Sequence, residues 1–314
     1  MARSKVAIIG AGNVGGACAH WIAAQSLADI VLIDVIEGLA KGKALDLFQA
    51  GLLTQAGVAA TGGSDYGLIE GAAVVVVTAG VPRRKDPQTG KFPSRDELVK
   101  INQEIVAGVA RNIARYAPDS ILIVVSNPLD AMCHVTLHES GFAASRVIGQ
   151  AGALDVARYK TFIAQALGVS VHDVQGTILG GHGDQMVPLT RLTSVGSIPI
   201  RELMDEKTLQ AIVERTRKGG GELVNLMGYS AFFAPAAGTT QMVAAILQDQ
   251  KRVLPCSVYL TGQYGCQNLY IGVPVVLGAN GVERILEIKL TPEEQKQFDQ
   301  SAQATREVVA VLGY

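Results

Sequence analysis

KVAIIGAGNVGGACAHWIAA (residues 5–24) decides the fold, because it places a glycine-rich turn between a strand and a helix. The run KVAIIG (5–10), apolar after its lysine, is typical of a buried strand, and residues 15–24 are typical of a helix. In the turn, Gly10 permits a tight bend, Gly12 lets the backbone approach a pyrophosphate, and Gly15 allows close packing of helix on strand. The order strand, GxGxxG, helix therefore predicts a dinucleotide-binding unit. The predicted contacts with the dinucleotide are Gly10, Ala11, Gly12, Asn13, Val14 and Gly15.

An acidic residue ends the second predicted strand: Asp34 follows Gly15 by 19 residues. At that distance a carboxylate can accept hydrogen bonds from the 2′-hydroxyl of an adenosine ribose. Residues 35–38 offer no Arg or Lys for a 2′-phosphate, and the charge of Asp34 would repel one. The sequence therefore favours NAD over NADP as the cofactor. The alternative role for Asp34 is a strand-end cap, which does not require this spacing.

Strand and helix patterns alternate through the N-terminal half of the chain. Runs such as AAVVVV (72–77) are apolar without a break, which is typical of strands covered on both faces. We predict an α/β fold with an N-terminal Rossmann domain, a doubly wound parallel sheet, over residues 1–148. Residues 149–314 are predicted to form an α+β catalytic domain that binds the substrate, with helices over 152–167, 201–226 and 231–248 and a hairpin over 253–278.

The composition excludes several classes of function. A net charge of −1 without a long basic face argues against nucleic acid or a membrane as partner. The apolar runs are far shorter than the ~18–20 residues that span a bilayer. No targeting segment precedes the first strand, so we expect a cytoplasmic protein. The cysteines are scattered without CxxC spacing, which favours reduced thiols and no metal site.

Polar residues with the character of an active site occur at three further places. Asp155 and Arg158 stand three apart on a predicted helix, and His182 lies between glycines in GGHGD (180–184). Asn127 ends a predicted sheet strand, where such folds bind ligands. Each also has an ordinary structural interpretation when taken singly. Asp155 and Arg158 could form a surface ion pair, His182 could be a loop histidine, and Asn127 could begin a turn. His134 and His138, i and i+4 on one helix, could bind a metal but more often form a packed or solvated pair.

The combination of motifs is specific. GAGNVG (10–15), Asp34, TAGVPR (78–83), SRDEL (94–98), SNP (126–128), LDVARYK (154–160) and GGHGD (180–184) follow in this order. With these motifs the chain resembles the NAD-dependent lactate/malate dehydrogenase family from residue 5 to its C-terminus. Residues 213–236 are similar to the lactate-dehydrogenase-like malate dehydrogenases of prokaryotes.

The resemblance implies a role for each polar residue. His182 is expected to give and take the proton, with Asp155 as its orienting carboxylate. Arg158 is expected to clamp the substrate carboxylate, and Arg95 to polarise the substrate carbonyl. The family also implies a homodimer or homotetramer. The further residues implied in binding substrate or NAD are Asn127 and Ser230 for substrate, and Asn102, Val125, Ser126 and Asn127 for NAD.

A basic segment, VPRRKDPQTGKFPSRDEL (81–98), bears on the choice of substrate. Malate carries one more carboxylate than lactate, and leaving a buried charge unpaired costs about 3–5 kcal/mol. In the family the residue after AGxP reads the substrate side chain, and an Arg there resembles the malate enzymes. We therefore expect Arg83 to pair the distal carboxylate of a dicarboxylate substrate. Arg83 and Arg95 are 12 positions apart, longer than the family's malate pattern, which leaves Arg84 as the alternative.

Other functions stay open on the sequence alone. Within the same class of enzyme, the alternative is a lactate dehydrogenase or another 2-hydroxy-acid dehydrogenase. A catalytically silent NAD-binding protein would not require His182, Asp155, Arg158 and Arg95 together. An NAD-dependent glycosidase on a related fold would need metal ligands, which we do not find in the sequence.

Overall fold

The computed structural model describes residues 3–82 and 95–314, with the side chain of Arg95 not among the described groups. The N-terminal half alternates strands and helices, as predicted. Its strands are β1 (Lys5–Ile9), β2 (Asp29–Ile33), β3 (Ala60–Gly63), β4 (Val74–Val77), β5 (Ile121–Val124) and β6 (Val147–Gly149). Its helices are α1 (Asn13–Ala24), α2 (Glu37–Thr54), α3 (Arg95–Tyr116) and α4 (Leu129–Ser140).

The C-terminal half mixes helices with short strands and one long hairpin. Its helices are α5 (Gly152–Leu167), α6 (Ile200–Leu203), α7 (Glu206–Met227), α8 (Phe233–Leu247) and α9 (Pro292–Ala310). Its short strands are β7 (Val174–Gln175), β8 (Ile178–Leu179), β9 (Val187–Pro188), β10 (Ser194–Val195) and β11 (Ile198–Pro199). The hairpin and its third strand are β12 (Arg252–Thr261), β13 (Gln267–Gly278) and β14 (Gly281–Ile285).

Within the described residues, nine strands form one sheet in the order β14-β13-β12-β6-β5-β4-β1-β2-β3. The six N-terminal strands are parallel and follow the order 3-2-1-4-5-6, which is that of a Rossmann fold. The strand order reverses beside β1, which pairs with both β2 and β4. Ligands of such sheets bind at the carboxyl ends of the strands next to this reversal. The predicted fold class, a Rossmann sheet followed by an α+β part, is confirmed.

Both faces of the parallel sheet are buried. Val74 and Val76 pack in one apolar cluster, while Val75 and Val77 pack in the cluster on the opposite face. Successive side chains of a strand point to opposite faces, so an unbroken run of valines fits a strand covered twice. This is the physical reason why the N-terminal strands could be recognised from the sequence.

The structure corrects details of the predicted elements. The helix predicted over 201–226 is split into α6 and α7, because Met204 is extended and Asp205 caps α7 by accepting a hydrogen bond from the N–H of Thr208. The short strand β3 was missed, since half of it is glycine. The predicted division at 148/149 falls within β6, and β12 continues the same sheet through the pairing of Ser257 with Gly149. No helix in the ranges 3–82 and 95–314 combines the length and apolarity needed to cross a membrane.

Candidate active site

The glycine-rich turn joins β1 to α1, and its three glycines meet different demands. Gly10 has a φ of +105°, which few other residues adopt. A Cβ on Gly15 would lie 1.9 Å from the carbonyl oxygen of Gly10, whereas one on Gly12 would meet nothing within 4 Å. Gly10 and Gly15 are thus required by the fold itself, while Gly12 leaves open space before the start of α1. A helix N-terminus with open backbone in front of it fits a pyrophosphate group.

Asp34 lies beside this turn, directly after β2. Its carboxylate accepts hydrogen bonds from the N–H of Ala11 (2.7 Å) and the N–H of Ile36 (2.9 Å). These bonds hold the turn against the end of β2. Asp34 therefore does cap the end of this strand, which was the alternative to a contact with the ribose. A carboxylate has further lone pairs for a ribose hydroxyl. Sequence reasoning missed Lys43, whose ammonium donates to the carbonyl of Gly12 at 2.8 Å.

The ends of β4 and β5 are tied together by two buried polar side chains. The hydroxyl of Ser126 donates to the carbonyls of Ala79 (2.5 Å) and Val77 (3.2 Å). The buried amide of Asn102 accepts from the N–H of Val81 (2.7 Å) and donates to the carbonyl of Asn127 (2.7 Å). Asn102 therefore ties the two turns together at the carboxyl end of the sheet, and its predicted contact with NAD stays a prediction.

Asn127 itself lies exposed at the carboxyl end of the sheet, next to the half-buried Val125. The peptide bond from Asn127 to Pro128 is cis. Ser230 is exposed between α7 and α8. Arg95 is the first residue of α3, and Arg83 and Arg84 lie outside the described residues.

Three of the predicted residues come together around one carboxylate. Asp155 Oδ2 lies 2.9 Å from His182 Nδ1, and Asp155 Oδ1 lies 3.4 Å from Arg158 Nη1. The side chain of Asp155 is 3% exposed, that of Arg158 13% and that of His182 22%. The buried carboxylate therefore orients both cationic groups at once, and each keeps some access to solvent. Among residues 3–82 and 95–314, no group is hydrogen-bonded to the second ring nitrogen of His182, Nε2.

The charges of the site shift its proton equilibria. Burial alone lowers the pKa of His182, but the charge and hydrogen bond of Asp155 outweigh it, and the pKa is raised overall. The charge of Asp130 acts in the same direction. Burial lowers the pKa of Arg158, and the charge of Asp155 opposes this shift. An arginine stays charged in either case, so the site holds a cation whether or not His182 is protonated.

Arg158 fits against the glycine run 219–221 of α7, which sequence reasoning passed over. A Cβ on Gly219 would stand 3.1 Å from Cδ and 3.5 Å from Nε of Arg158, whereas one on Gly221 would meet nothing within 4 Å. The Nε of Arg158 is buried and has no hydrogen-bond partner within the described residues. A buried donor without a partner is costly, so this guanidinium is suited to an incoming acceptor. Consecutive glycines inside a helix were the signal that could have revealed this contact.

The loop that carries His182 is anchored by its backbone. The N–H of Gly181 donates to the hydroxyl of Ser301 (2.9 Å), and the N–H of His182 donates to Asp130 Oδ2 (3.1 Å). Gly180 and Gly183 have φ values of +93° and +122°, which explains glycine on both sides of the loop. Sequence reasoning missed Asp130 and Ser301, because they lie on α4 and α9, far from His182 in the chain.

His134 and His138 have partners other than a metal. His134 Nε2 accepts a hydrogen bond from the N–H of Tyr270 (3.0 Å), and burial lowers the pKa of His134 to about 4. The ring of His138 stacks on Tyr314 with the ring centroids 4.2 Å apart. In the part of the chain that the structure describes, no three His, Cys, Asp or Glu side chains are grouped to hold a metal.

We predict that Gly12→Ala and Gly15→Ala fail in different ways. Gly15→Ala forces the turn and α1 apart, so it lowers the melting temperature. Overpacking of this kind typically reduces the free energy of unfolding by about 1–3 kcal/mol. Gly12→Ala keeps the melting temperature but weakens NADH binding by about tenfold or more, since about 1.4 kcal/mol of lost contact suffices for that factor. Calorimetry and NADH fluorescence titration measure the two effects. A normal NADH affinity for Gly12→Ala would contradict the placement of the pyrophosphate.

Family models match both halves of the chain. Residues 4–149 match the lactate/malate dehydrogenase NAD-binding domain, and residues 152–310 match the lactate/malate dehydrogenase alpha/beta C-terminal domain. The predicted use of NAD is thereby confirmed. Among curated relatives, the malate dehydrogenase of Roseiflexus sp. (strain RS-1) is 50% identical over 311 residues, covering 99% of each chain. The malate dehydrogenase of Bacillus subtilis (strain 168) is 48% identical over 313 residues, covering 99% of this chain and 98% of that one.

Solved structures give the same result for the fold. A malate dehydrogenase from Salinibacter ruber superposes with a TM-score of 0.93 at 45% identity, covering 98% of this chain and 97% of that one. A lactate dehydrogenase from Cryptosporidium parvum, solved with lactic acid and NAD, superposes with a TM-score of 0.94 at 39% identity, covering 100% and 99%. The fold alone therefore does not separate the two activities. The full-length matches, together with the grouping of His182, Asp155 and Arg158, establish that this chain belongs to the lactate/malate dehydrogenase family.

Proposed function

We propose that the protein is an NAD-dependent malate dehydrogenase, which interconverts malate and oxaloacetate with reversible hydride transfer. The observation that carries this proposal is the single buried carboxylate of Asp155, which holds His182 and Arg158 in one place. The malate dehydrogenases among its relatives, at about half identity over the full length, support the choice of substrate. A silent NAD-binding protein would not need this arrangement.

His182 is the proton donor and acceptor in this mechanism. Reduction of a 2-keto acid places a proton on the carbonyl oxygen, so the imidazole must be protonated at the start. The neighbouring Asp155 carboxylate raises the pKa of His182 and thereby favours that state. Oxidation of the 2-hydroxy acid uses the same contact in reverse, with neutral His182 accepting the hydroxyl proton. Asp155 keeps the proton on Nδ1, so that Nε2 exchanges the proton with the substrate.

Arg158 holds the carboxylate next to the reacting carbonyl. A guanidinium can donate two parallel hydrogen bonds to a carboxylate, which fixes both the position and the plane of the substrate. The partly exposed end of Arg158 and its unpartnered Nε leave donors for this purpose. Arg95 and Asn127, together with Ser230, complete the proposed contacts with the substrate.

The residues around the glycine-rich turn fit NAD. Gly12 and the start of α1 would face the pyrophosphate, Asp34 the adenosine ribose, and the 125–127 backbone the nicotinamide end. Bound NAD supplies the hydride acceptor or donor, the nicotinamide C4. Arg158 and His182 hold the substrate so that its C2 can face that carbon, which converts the reaction into one between prepositioned groups.

The distal carboxylate distinguishes malate from lactate. We assign it to Arg83, with Arg84 as the alternative, because a second carboxylate in a closed site requires a matching cation. The basic segment 81–98 supplies these two arginines side by side.

The preference for oxaloacetate tests the proposed function. We expect the wild-type kcat/KM with NADH to be about 10²-fold or more higher for oxaloacetate than for pyruvate, since an unpaired charge costs about 3–5 kcal/mol. Arg83→Gln should lose most of this preference, because it removes the cation but keeps a polar, hydrogen-bonding side chain. Steady-state NADH oxidation with both keto acids measures it.

Arg84→Gln is the matched control for Arg83→Gln. If Arg84→Gln loses the preference and Arg83→Gln keeps it, the role belongs to Arg84. A wild-type enzyme that favours pyruvate would overturn the proposed substrate, and NADH binding without turnover of either keto acid would revive the silent NAD-binding protein.

A second kinetic prediction concerns the glycines beneath Arg158. In Gly219→Ala the new methyl displaces the guanidinium, so we expect KM for oxaloacetate to rise about tenfold, since small misplacements of a clamp are costly. Gly221→Ala is the control, because a methyl group there has open space around it and brings the same gain in helix propensity, about 0.5–1 kcal/mol. We expect its KM to be unchanged. Equal KM values in the two variants would show that Arg158 does not bind the substrate.

The protein is also proposed to form a homodimer or homotetramer. Leu45, Phe48 and Leu52 repeat on one face of α2 and are 58%, 56% and 84% exposed. On the opposite side of α2, Trp21, Leu47 and Phe233 line a separate hollow between α1, α2 and α8. Exposed apolar surface of this extent is unusual for a monomer and suits a second copy across a two-fold axis.

The free thiols of Cys18, Cys133, Cys256 and Cys266 fit the proposed location in the cytoplasm.

Sedimentation tests this association. We expect the wild-type protein to sediment as a dimer or tetramer and Leu52→Glu to shift toward the monomer, because a buried carboxylate without a partner is unfavourable. Leu192→Glu, at an exposed leucine outside α2, is the control and should keep the wild-type state. A wild-type monomer at micromolar concentration would contradict the proposed assembly.

A further inference from the structure

We propose that Asp130 is a positioning residue for His182: it holds the backbone of the catalytic loop and provides a second negative charge that favours the protonated imidazole. This inference rests on the proposed role of His182 in the dehydrogenase reaction. It concerns a carboxylate that neither touches the substrate nor contacts the imidazole ring. Asp155 orients the ring, whereas Asp130 acts on the main chain of the same residue.

The geometry places Asp130 in the first turn of α4, only 8% exposed. Its Oδ2 accepts the N–H of His182 at 3.1 Å, and its Oδ1 accepts the hydroxyl of Ser257 at 2.6 Å. Both oxygens thus face donors, which is the arrangement of an ionised carboxylate. Burial raises the pKa of Asp130 overall, and the bonds from Ser257 and His182, together with the charge of His182, offset only part of that shift.

The elements around this pair supply the following charged and polar groups. The helix α5 supplies Asp155 and Arg158, β12 supplies Ser257 and the neighbouring Cys256 thiol, and α9 supplies the uncharged hydroxyls of Ser301 and Thr305. On α4 itself lies Cys133, whose pKa is raised well above its usual value by burial and by the charge of Asp130, so this thiol stays neutral. Arg158 lowers the pKa of His182, while Asp155 and Asp130 raise it. Removal of the Asp130 charge therefore shifts the balance toward neutral imidazole.

The loop offers a control that separates charge from anchoring. Ser301 accepts the N–H of Gly181 just as Asp130 accepts that of His182, but Ser301 carries no charge. Ser301→Ala loosens the same loop at the adjacent amide. Asp130→Asn keeps an oxygen acceptor for the N–H of His182, and its amide can donate to Ser257, so it removes the charge with little change of shape.

The first measurement is the NMR titration of His182 in protein labelled with ¹³C at histidine, with the resonance assigned from His182→Gln. We expect the pKa of His182 to fall by about 0.5–1 unit in Asp130→Asn, the effect of one charge a few Å away when the partly exposed ring is screened by an effective dielectric constant of about 40–80. In Ser301→Ala it should stay at the wild-type value. This titration requires no substrate, so its outcome is independent of whether oxaloacetate is turned over.

The second measurement is the pH dependence of kcat/KM in both directions. Reduction requires protonated His182, so above its pKa Asp130→Asn should be about 3–10-fold slower, whereas well below the pKa the two proteins should converge. Oxidation requires neutral His182, so below the pKa Asp130→Asn should be faster by the same factor. Ser301→Ala should lower kcat without moving either profile.

An unchanged pKa of His182 in folded Asp130→Asn would overturn the proposal and leave Asp130 as a structural anchor. If Asp130→Asn does not fold, Ser257→Ala provides the test, since it keeps the carboxylate but removes its hydroxyl donor. Loss of this donor raises the pKa of Asp130 further and so weakens its negative charge, so the pKa of His182 should fall; an unchanged or higher pKa of His182 would contradict the inference. A wild-type protein without turnover would refute the proposed function but leave the titration result standing.

Discussion

The carboxylate of Asp155 binds two cationic side chains in a place where water hardly reaches it. A buried carboxylate is unfavourable unless it is paired, so the contacts with His182 and Arg158 are a condition for burying it at all. When His182 is protonated, the three groups together carry one positive charge. That excess suits a substrate whose first carboxylate lies beside the carbonyl to be reduced, and it disappears once the proton has been transferred.

The rest of the fold holds these groups where a cofactor can reach them. The parallel sheet directs the glycine-rich turn, Asp34 and Asn127 to the same edge, because the carboxyl ends of its strands meet there. The C-terminal half brings Asp155 on α5 and the glycine-flanked His182 loop to that edge through the pairing of β12 with β6. Backbone anchors from Asp130 and Ser301 then fix the loop, so the histidine needs no other support from its own segment.

The sequence was sufficient to predict those parts of the fold and the site whose residues lie close together in the chain or follow a known spacing. The three-residue step from Asp155 to Arg158 and the run of valines each lie within one helix or one strand. Asp34 follows the glycines at the spacing set by one strand–helix–strand unit, which is itself a recognisable pattern. The contact of Asp130 with His182 joins residues 52 apart on different elements, so no local pattern indicates it. The contact of Gly219 with Arg158 joins two helices, and the only local signal for it is the run of glycines inside α7. The hydrogen bonds of the Asn102 amide to the backbone of Val81 and Asn127 likewise join separate elements and have no local signal in the sequence. Both malate and lactate dehydrogenases share this fold, so the fold does not indicate which substrate is used. The proposed preference for a dicarboxylate therefore rests on the assignment to Arg83.

Replacement of Asp155 by Asn tests the central interaction most directly, since the amide retains the shape but neither the charge nor two acceptor oxygens. We predict that Asp155→Asn lowers kcat/KM for oxaloacetate by about 10²–10⁴-fold, as expected for loss of an oriented acid–base group, while NADH binds as in the wild type. Pre-steady-state NADH binding and steady-state turnover on the same sample separate the two quantities. Turnover close to the wild-type rate in folded Asp155→Asn would contradict the account, because the pairing of His182 and Arg158 through one carboxylate would then be dispensable.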